Sequence, residues 1–275
     1  MIDVNLYCGE YPFRRLPRTT GDGLLQLMDA IGCERAVATP FAAIFYKDNL
    51  DGLRKAIEET AGVGERVFFY AVINPAFPGW ERDAREALTL PGVVGWRLFP
   101  RYHHYEWLDP QVITLLQIAG EQKVPVNLTA RLVDDRLDHW LLRVPPLDLD
   151  QVAGLLKQCR NTTLLLSHFY TNELNLLASA IKSHPQAYLD IGNTKPNVFW
   201  FDQVATQFDP TRLVLGTGAP LYYYQGTLLS LAKAEMDETT RHRLSHENAQ
   251  RLFWEINPEG PGANNYRERN FASSS

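Results

Sequence analysis

Val93-Val94-Gly95-Trp96-Arg97-Leu98-Phe99-Pro100, then Asp109-Pro110-Gln111-Val112-Ile113-Thr114-Leu115-Leu116-Gln117-Ile118-Ala119, then Val124-Pro125-Val126-Asn127-Leu128-Thr129-Ala130 is the stretch that decides the fold. The outer two segments are short apolar runs with the composition of buried strands. The middle one repeats Val112-Ile113-x-Leu115-Leu116-x-x-Ala119, an apolar stripe at helical spacing. Asp109-Pro110 before it supplies an N-cap and a first-turn proline. Strand, helix, strand over so short a span implies two parallel strands joined by a right-handed crossover.

The same alternation continues in both directions. Candidate strands run over Ile2–Cys8, Arg35–Pro40, Val67–Asn74, Val93–Phe99, Val124–Ala130, Thr163–His168, Ala187–Gly192 and Arg212–Gly218. Helical stripes lie at Leu24–Ile31, Leu53–Ile57, Val112–Ala119, Val152–Leu156, Leu174–Ile181 and Val198–Val204. Two more follow the last strand, near Leu228–Ala234 and Arg243–Phe253. Eight β/α units predict an α/β fold, a closed (β/α)8 TIM barrel over residues 1–257, with an extra C-terminal helix. An open dinucleotide-binding sheet is disfavoured because no Gly-x-Gly-x-x-Gly follows the first strand. Residues 258–275, rich in Gly, Asn and Ser, read as a flexible polar tail.

The 275 residues are 45% hydrophobic and 21% charged, an ordinary globular composition that excludes global disorder and coiled coil. A net charge of −5 argues against nucleic acid and anionic membrane surfaces as partners. No apolar run approaches the length of a membrane span, and the N-terminus lacks the basic and apolar regions of a secretion signal. Cys8, Cys33 and Cys159 are odd in number and far apart, which points to reduced thiols in the cytoplasm. The expected partner is a small-molecule ligand or substrate, with a homodimer admitted.

Strand alternation sorts side chains into helix-facing and axis-facing sets. On the first strand Ile2, Val4 and Leu6 are assigned to the helices, and Asp3, Asn5 and Tyr7 to the axis. On the fourth, Arg97 points inward. On the fifth, Asn127, Thr129 and Arg131 do. The sixth is read with Leu164 and Leu166 inward and His168 at its end. The seventh contributes Asp190, and the eighth Val214, Gly216 and Gly218. Polar inward residues at C-terminal strand ends are where a barrel of this kind carries its active site. Arg97 and Arg131 cannot be buried without partners, so they require Asp190, Asp3, water or an anionic ligand.

Asp3-Val4-Asn5-Leu6-Tyr7, Val72-Ile73-Asn74-Pro75, Gly95-Trp96-Arg97-Leu98-Phe99-Pro100, Val124-Pro125-Val126-Asn127-Leu128-Thr129, Leu164-Leu165-Leu166-Ser167-His168, Leu189-Asp190-Ile191, Leu215-Gly216-Thr217-Gly218-Ala219-Pro220 and Glu247-Asn248-Ala249-Gln250-Arg251-Leu252-Phe253 occur in that order. Together they resemble the amidohydrolase-related family of metal-dependent hydrolases, in the branch that also contains decarboxylases. The resemblance implies a barrel whose mouth holds zinc or another divalent metal. It also places the departures on the ligands. The family's paired first-strand histidines are Asn5 and Tyr7 here, its fifth-strand histidine is Thr129, and its eighth-strand aspartate is Gly218. The sixth-strand histidine, His168, is kept.

Asn, Thr and Gly side chains cannot supply the donors zinc needs, and a phenol with a pKa near 10 is a poor substitute. Zinc makes hydroxide formation easier by about 12 kcal/mol, whereas a positioned general base supplies roughly 3–5 kcal/mol. Without the metal, amide hydrolysis is out of reach of one histidine, while lactone opening or decarboxylation of a stabilised acid is not. The expectation is therefore a metal-independent, hydrolase-type barrel acting on or binding a small anionic, carboxylate- or lactone-like molecule, with no cofactor. His168 is assigned as general acid or base, with Tyr7 and Asp190 beside it. Asn5, Arg97, His103, His104, Asn127, Thr129, Arg131 and Gly218 are assigned to substrate contacts. Two alternatives stand beside this: a non-catalytic ligand-binding or protein-interaction module, and a metal-dependent hydrolase or decarboxylase with an unusual ligand set, such as a relocated site of His103 or His104 with His168 and Asp190. Cys8 is a weaker candidate nucleophile, lacking a neighbouring base.

Overall fold

The computed structural model describes residues 1–192 and 200–255. Eight parallel strands pair in sequence order: β1 (Ile2–Cys8), β2 (Arg35–Pro40), β3 (Val67–Val72), β4 (Val93–Leu98), β5 (Val126–Thr129), β6 (Leu164–Ser167), β7 (Ala187–Asp190) and β8 (Leu213–Val214). The ring is completed by Val4 N–H donating to Leu215 O at 3.0 Å, Gly218 N–H to Asn5 O at 2.7 Å and Tyr7 N–H to Ala219 O at 2.8 Å. The fold is the (β/α)8 TIM barrel that the alternation predicts.

The crossover helices sit where the stripes place them, at Gly21–Ile31, Asn49–Glu59, Pro110–Glu121, Leu149–Gln158, Thr171–Ser183, Trp200–Gln207 and Tyr224–Lys233. Val198, the start of one predicted stripe, lies outside the described residues, as does the tail 258–275. Asp48 and Asp148 cap their helices, each accepting two backbone N–H groups of the first turn. Asp109 precedes Pro110 as predicted, but its carboxylate turns back to accept from Glu106 N–H at 3.0 Å. The helix Trp80–Ala87 was invisible to periodicity because only Trp80, Ala84 and Ala87 are buried, with charged residues between. The aromatic segment after β4 begins as a short helix, Pro100–His103.

Two apolar layers follow from the strand pleat. One lies between sheet and helices and takes in Trp96, Leu98, Val126, Leu128 and Ala130, as alternation predicts. The other fills the lower barrel with Ile2, Val4, Val37, Phe68, Tyr70, Val94, Leu165, Tyr188 and Val214. It is floored by Ala249, Leu252, Phe253 and Trp254 from the helical segment 238–255. Four assignments are thereby corrected. Ile2 and Val4 face the interior because β1 carries an extra residue: Asp3 pairs with Ala36 but Leu6 with Ala38. A bulge of this kind flips side-chain parity partway along a strand. On β6 it is Leu165 that points inward, while Leu164 and Leu166 pack under the helices.

Candidate functional site

The bulge in β1 makes the upper barrel polar while the lower barrel stays apolar. Below it Ile2 and Val4 face the axis; above it Asn5 and Tyr7 do. Asp3 is left at the seam between β1 and the segment after β8. Its carboxylate accepts from Asn5 N–H at 2.9 Å and from Thr217 N–H at 3.0 Å, with the Thr217 hydroxyl on its other oxygen. Asp3 thus holds the seam rather than facing a ligand. Burial raises its pKa, against the pull of those hydrogen bonds.

Arg97 rises from β4 into the centre of the mouth and is fully buried. Its Nε donates to Thr129 Oγ1 at 2.8 Å, one terminal nitrogen to Asn5 Oδ1 at 2.9 Å and Thr39 Oγ1 at 2.8 Å, and the other to Tyr7 Oη at 2.9 Å. Among the described residues it pairs directly with no carboxylate. Its charge lies against the rings of Tyr7, Phe99 and Tyr70, at 5.0, 5.1 and 5.7 Å from their centroids. A carboxylate is reached through Asn5, whose Nδ2 donates to Asp190 Oδ2 at 2.7 Å. The other Asp190 oxygen accepts from Gly216 N–H at 2.9 Å and Gly192 N–H at 3.1 Å. Burial pushes Asp190 up to about 6 despite these donors. Gly216 permits this packing: a Cβ there would lie 2.4 Å from Asn5 Cβ.

His168 follows β6 with φ at +61°, a conformation costly for a non-glycine residue. That turn brings the ring to the mouth. Both ring nitrogens are buried without a hydrogen-bond partner. The ring meets Tyr222 edge-on at 4.8 Å and Tyr7 at 6.1 Å. Burial, reinforced by Arg97 and Arg131, holds its pKa well below the ordinary histidine value, so the imidazole is neutral at pH 7. The Tyr7 phenol is pushed up to about 12 by burial and keeps its proton.

The remaining sequence-assigned residues are not all brought to this point. Asn127 lies inside, accepting from the Thr129 hydroxyl at 3.3 Å. Arg131 is buried but forks onto Glu173, at 2.8 and 2.5 Å, and also donates to His168 O at 2.5 Å. It fixes the backbone that carries His168. His103 turns aside to Ile44 O at 2.9 Å, and burial pushes its pKa down to about 4. His104 is exposed and ends the short helix after β4. Gly218 has φ at +66°, and its N–H is engaged by Asn5 O. Cys8 faces the helix layer, where burial pushes its thiol up to about 12, far from nucleophilic. His184 is fully buried away from this site, with Nε2 3.0 Å from Cys159 O.

Sequence reading missed Thr39, Glu173 and Tyr222. Thr39 follows Val37 at strand period on β2. Glu173 carried a signal, an acidic residue in the first turn of a helix, where it accepts from Tyr170 N–H at 2.7 Å. Tyr222 carried none.

The mouth is closed by Tyr7, Tyr11, Phe41, Ile44, Phe99 and Leu132, with Phe13, Phe45 and Tyr222 packed against them. Tyr7 stacks on Phe41 at 5.2 Å. Beyond Tyr222 lies a surface cavity of about 500 Å³ lined by Arg14, Arg15, Leu16, Arg18, Leu221 and Tyr222.

The donor set at the mouth differs from the one that the resemblance implies for a divalent metal. Four of the five implied ligand positions carry an amide, a phenol, a hydroxyl and a glycine, and the first three face a guanidinium; the fifth, His168, keeps its imidazole. Among the described residues no three His, Cys, Asp or Glu side chains converge as ligands.

Comparisons with known proteins agree with the fold. The chain is similar in structure to an amidohydrolase from Burkholderia multivorans with bound zinc, at 15% identity and a TM-score of 0.65, over 92% of this chain and 98% of that one. It is also similar to an uncharacterized TIM-barrel protein, Bb4693, from Bordetella bronchiseptica, at 17% identity and a TM-score of 0.64, over 91% and 97%. A third similar structure is a 2,6-dihydroxybenzoate decarboxylase complexed with 2,6-dihydroxybenzoate, at 18% identity and a TM-score of 0.61, over 84% and 87%. No curated protein matches the sequence. The amidohydrolase family model matches residues 17–254, and with that extent of agreement the chain belongs to the amidohydrolase family.

Proposed function

We propose that this protein is a metal-independent member of its family that takes a small carboxylate- or lactone-like molecule beside His168. The observation that carries the reading is His168 itself. It is a neutral imidazole with two unpartnered ring nitrogens, held in a strained backbone conformation within the field of two buried guanidinium groups. Strain and unsatisfied polar atoms concentrate where a ligand completes the site. The neutral imidazole offers a ligand one N–H donor and one bare nitrogen acceptor, and its low basicity suits it to hydrogen bonding more than to proton abstraction, while the protonated Tyr7 phenol beside it can donate. Tyr222 stands between His168 and the outer cavity: it lines that cavity with Arg14, Arg15 and Arg18 on one side and meets His168 on the other. Three arginines at that cavity favour an anion.

Small carboxylates and lactones are screened by thermal shift in the presence of chelator, and those that bind are tested for turnover. The expected outcome is a ligand that raises the unfolding midpoint of the wild type and of Tyr222→Ala but not of His168→Ala. Midpoints that stay unmoved for every compound, or binding that disappears with chelator, overturn the reading.

The closed aromatic mouth favours a second reading, a barrel retained for its surface as an interaction module. His168→Ala and Tyr222→Ala would then leave cellular function intact while exposed substitutions abolish it.

A further inference from the structure

We propose that the Arg97 guanidinium is the resident cation of the barrel mouth and occupies the place where the family's divalent metal would be held. The resemblance puts three of the family's ligand positions at Asn5, Tyr7 and Thr129. Arg97 donates a hydrogen bond to each of them, at 2.9, 2.9 and 2.8 Å, and a fourth to Thr39 at 2.8 Å. Positions on two strands thus converge on one planar group.

The replacements make joint chemical sense. An imidazole nitrogen that would bind a metal is exchanged at each position for an oxygen that accepts from N–H. Oxygen acceptors of this neutral kind are weak zinc ligands but good guanidinium partners. Four of the five guanidinium donors are used, and three aromatic faces lie against the charge. Asn5 is the hinge of the exchange: its Oδ1 accepts from Arg97 while its Nδ2 donates to Asp190 at 2.7 Å. Cation and carboxylate are therefore held one amide apart. A second cation could not enter the same space against a fixed charge in a low dielectric. The mouth keeps one positive charge whatever the metal supply, and no chelator can remove it. This inference does not depend on a small molecule binding at His168.

The test measures zinc uptake by equilibrium dialysis with elemental analysis, and folding by circular dichroism, on four proteins. They are the wild type, Arg97→Met, the ligand-restored protein (Asn5→His, Tyr7→His, Thr129→His, Gly218→Asp), and the ligand-restored protein that also carries Arg97→Met. Zinc is expected to stay near background in the first three and to reach about one ion per chain in the fourth. About one ion per chain with Arg97 in place, or background uptake by a folded fourth protein, overturns the proposal. The wild type gives a reading even where restored proteins do not fold: a midpoint raised by zinc or lowered by chelator also overturns it. A further arm uses Arg97→Ala with guanidinium or its neutral isostere urea at low millimolar concentration. Guanidinium is expected to raise the unfolding midpoint and urea is not; equal responses count against a requirement for charge.

Discussion

Arg97 and Arg131 are both buried arginines on neighbouring strand ends, and their surroundings are opposite. Arg131 forks onto the carboxylate of Glu173, with Asp135 Oδ2 3.5 Å from its Nε and the Tyr170 ring 3.6 Å from its guanidinium carbon. Its charge is matched at once. Arg97 meets an amide, a phenol, two hydroxyls and three aromatic faces, and the carboxylate of Asp190 is linked to it only through Asn5. One arginine is a structural clamp on the backbone of His168. The other is a cation at the centre of the mouth. Two residues that looked equivalent along the chain, both assigned to substrate contacts, are thus separated by the carboxylates of Glu173 and Asp135, which meet Arg131 alone of the two.

Removing Arg97 is expected to have the larger effect. Arg97→Met leaves the oxygens of Asn5, Tyr7, Thr39 and Thr129 without their donor, and each buried unsatisfied group costs about 1–3 kcal/mol. Equilibrium urea unfolding should show a loss of roughly 4 kcal/mol or more, or no folded protein. A loss near 1 kcal/mol would mean that the mouth does not depend on this cation, and the contrast with Arg131 would collapse.

How much of this was legible follows from what each residue's signal depends on. The barrel was legible because eight apolar runs and their intervening stripes are local patterns, and Arg97, Asn127 and Thr129 were placed inward correctly by strand period. Ile2 and Val4 were placed wrongly because one extra residue in β1 changes parity, and nothing in Asp3-Val4-Asn5 announces it. Glu173 stood in plain sight as a first-turn carboxylate, yet its pairing with Arg131 spans 42 residues and depends on the tertiary path. The aromatic closure was hidden for the same reason: Tyr11, Phe41, Phe99 and Tyr222 follow four different strands and meet only over the finished barrel.

A double-mutant cycle sharpens the comparison from the Arg131 side. Glu173→Gln keeps the shape but leaves the Arg131 guanidinium without its carboxylate, a loss of about 3–5 kcal/mol for a buried pair. Arg131→Met alone should cost a similar amount, and the two together should cost little more than either. Simple additivity would show that the fork contributes nothing and that Arg131, like Arg97, is an available charge. The carbonyl of His168 is held by the same guanidinium, so hydrogen exchange around residues 168–170 should rise in Glu173→Gln but not in a surface control such as Glu86→Gln.

The smallest effect concerns the carboxylate that answers Arg97 at one remove. Asp190 is raised to about 6 in the folded protein, above its ordinary value in the unfolded chain. Between those two values the native state binds the proton and the unfolded state does not. Its contribution is therefore fully present below about pH 4 and is lost as pH rises through about 6. The whole span is on the order of 2–3 kcal/mol. Asp190→Asn abolishes the titration while leaving an amide for the Gly192 and Gly216 N–H groups. The difference in stability between wild type and Asp190→Asn, followed by urea unfolding from pH 4 to 8, should change across this window in favour of the wild type at the acid end. A difference that is flat, or that favours the wild type more as pH rises, would mean that Arg97 reaches Asp190 strongly enough through Asn5 to hold it ionised. The pair would then be an ion pair in all but contact, and Arg97 would differ from Arg131 in distance rather than in kind.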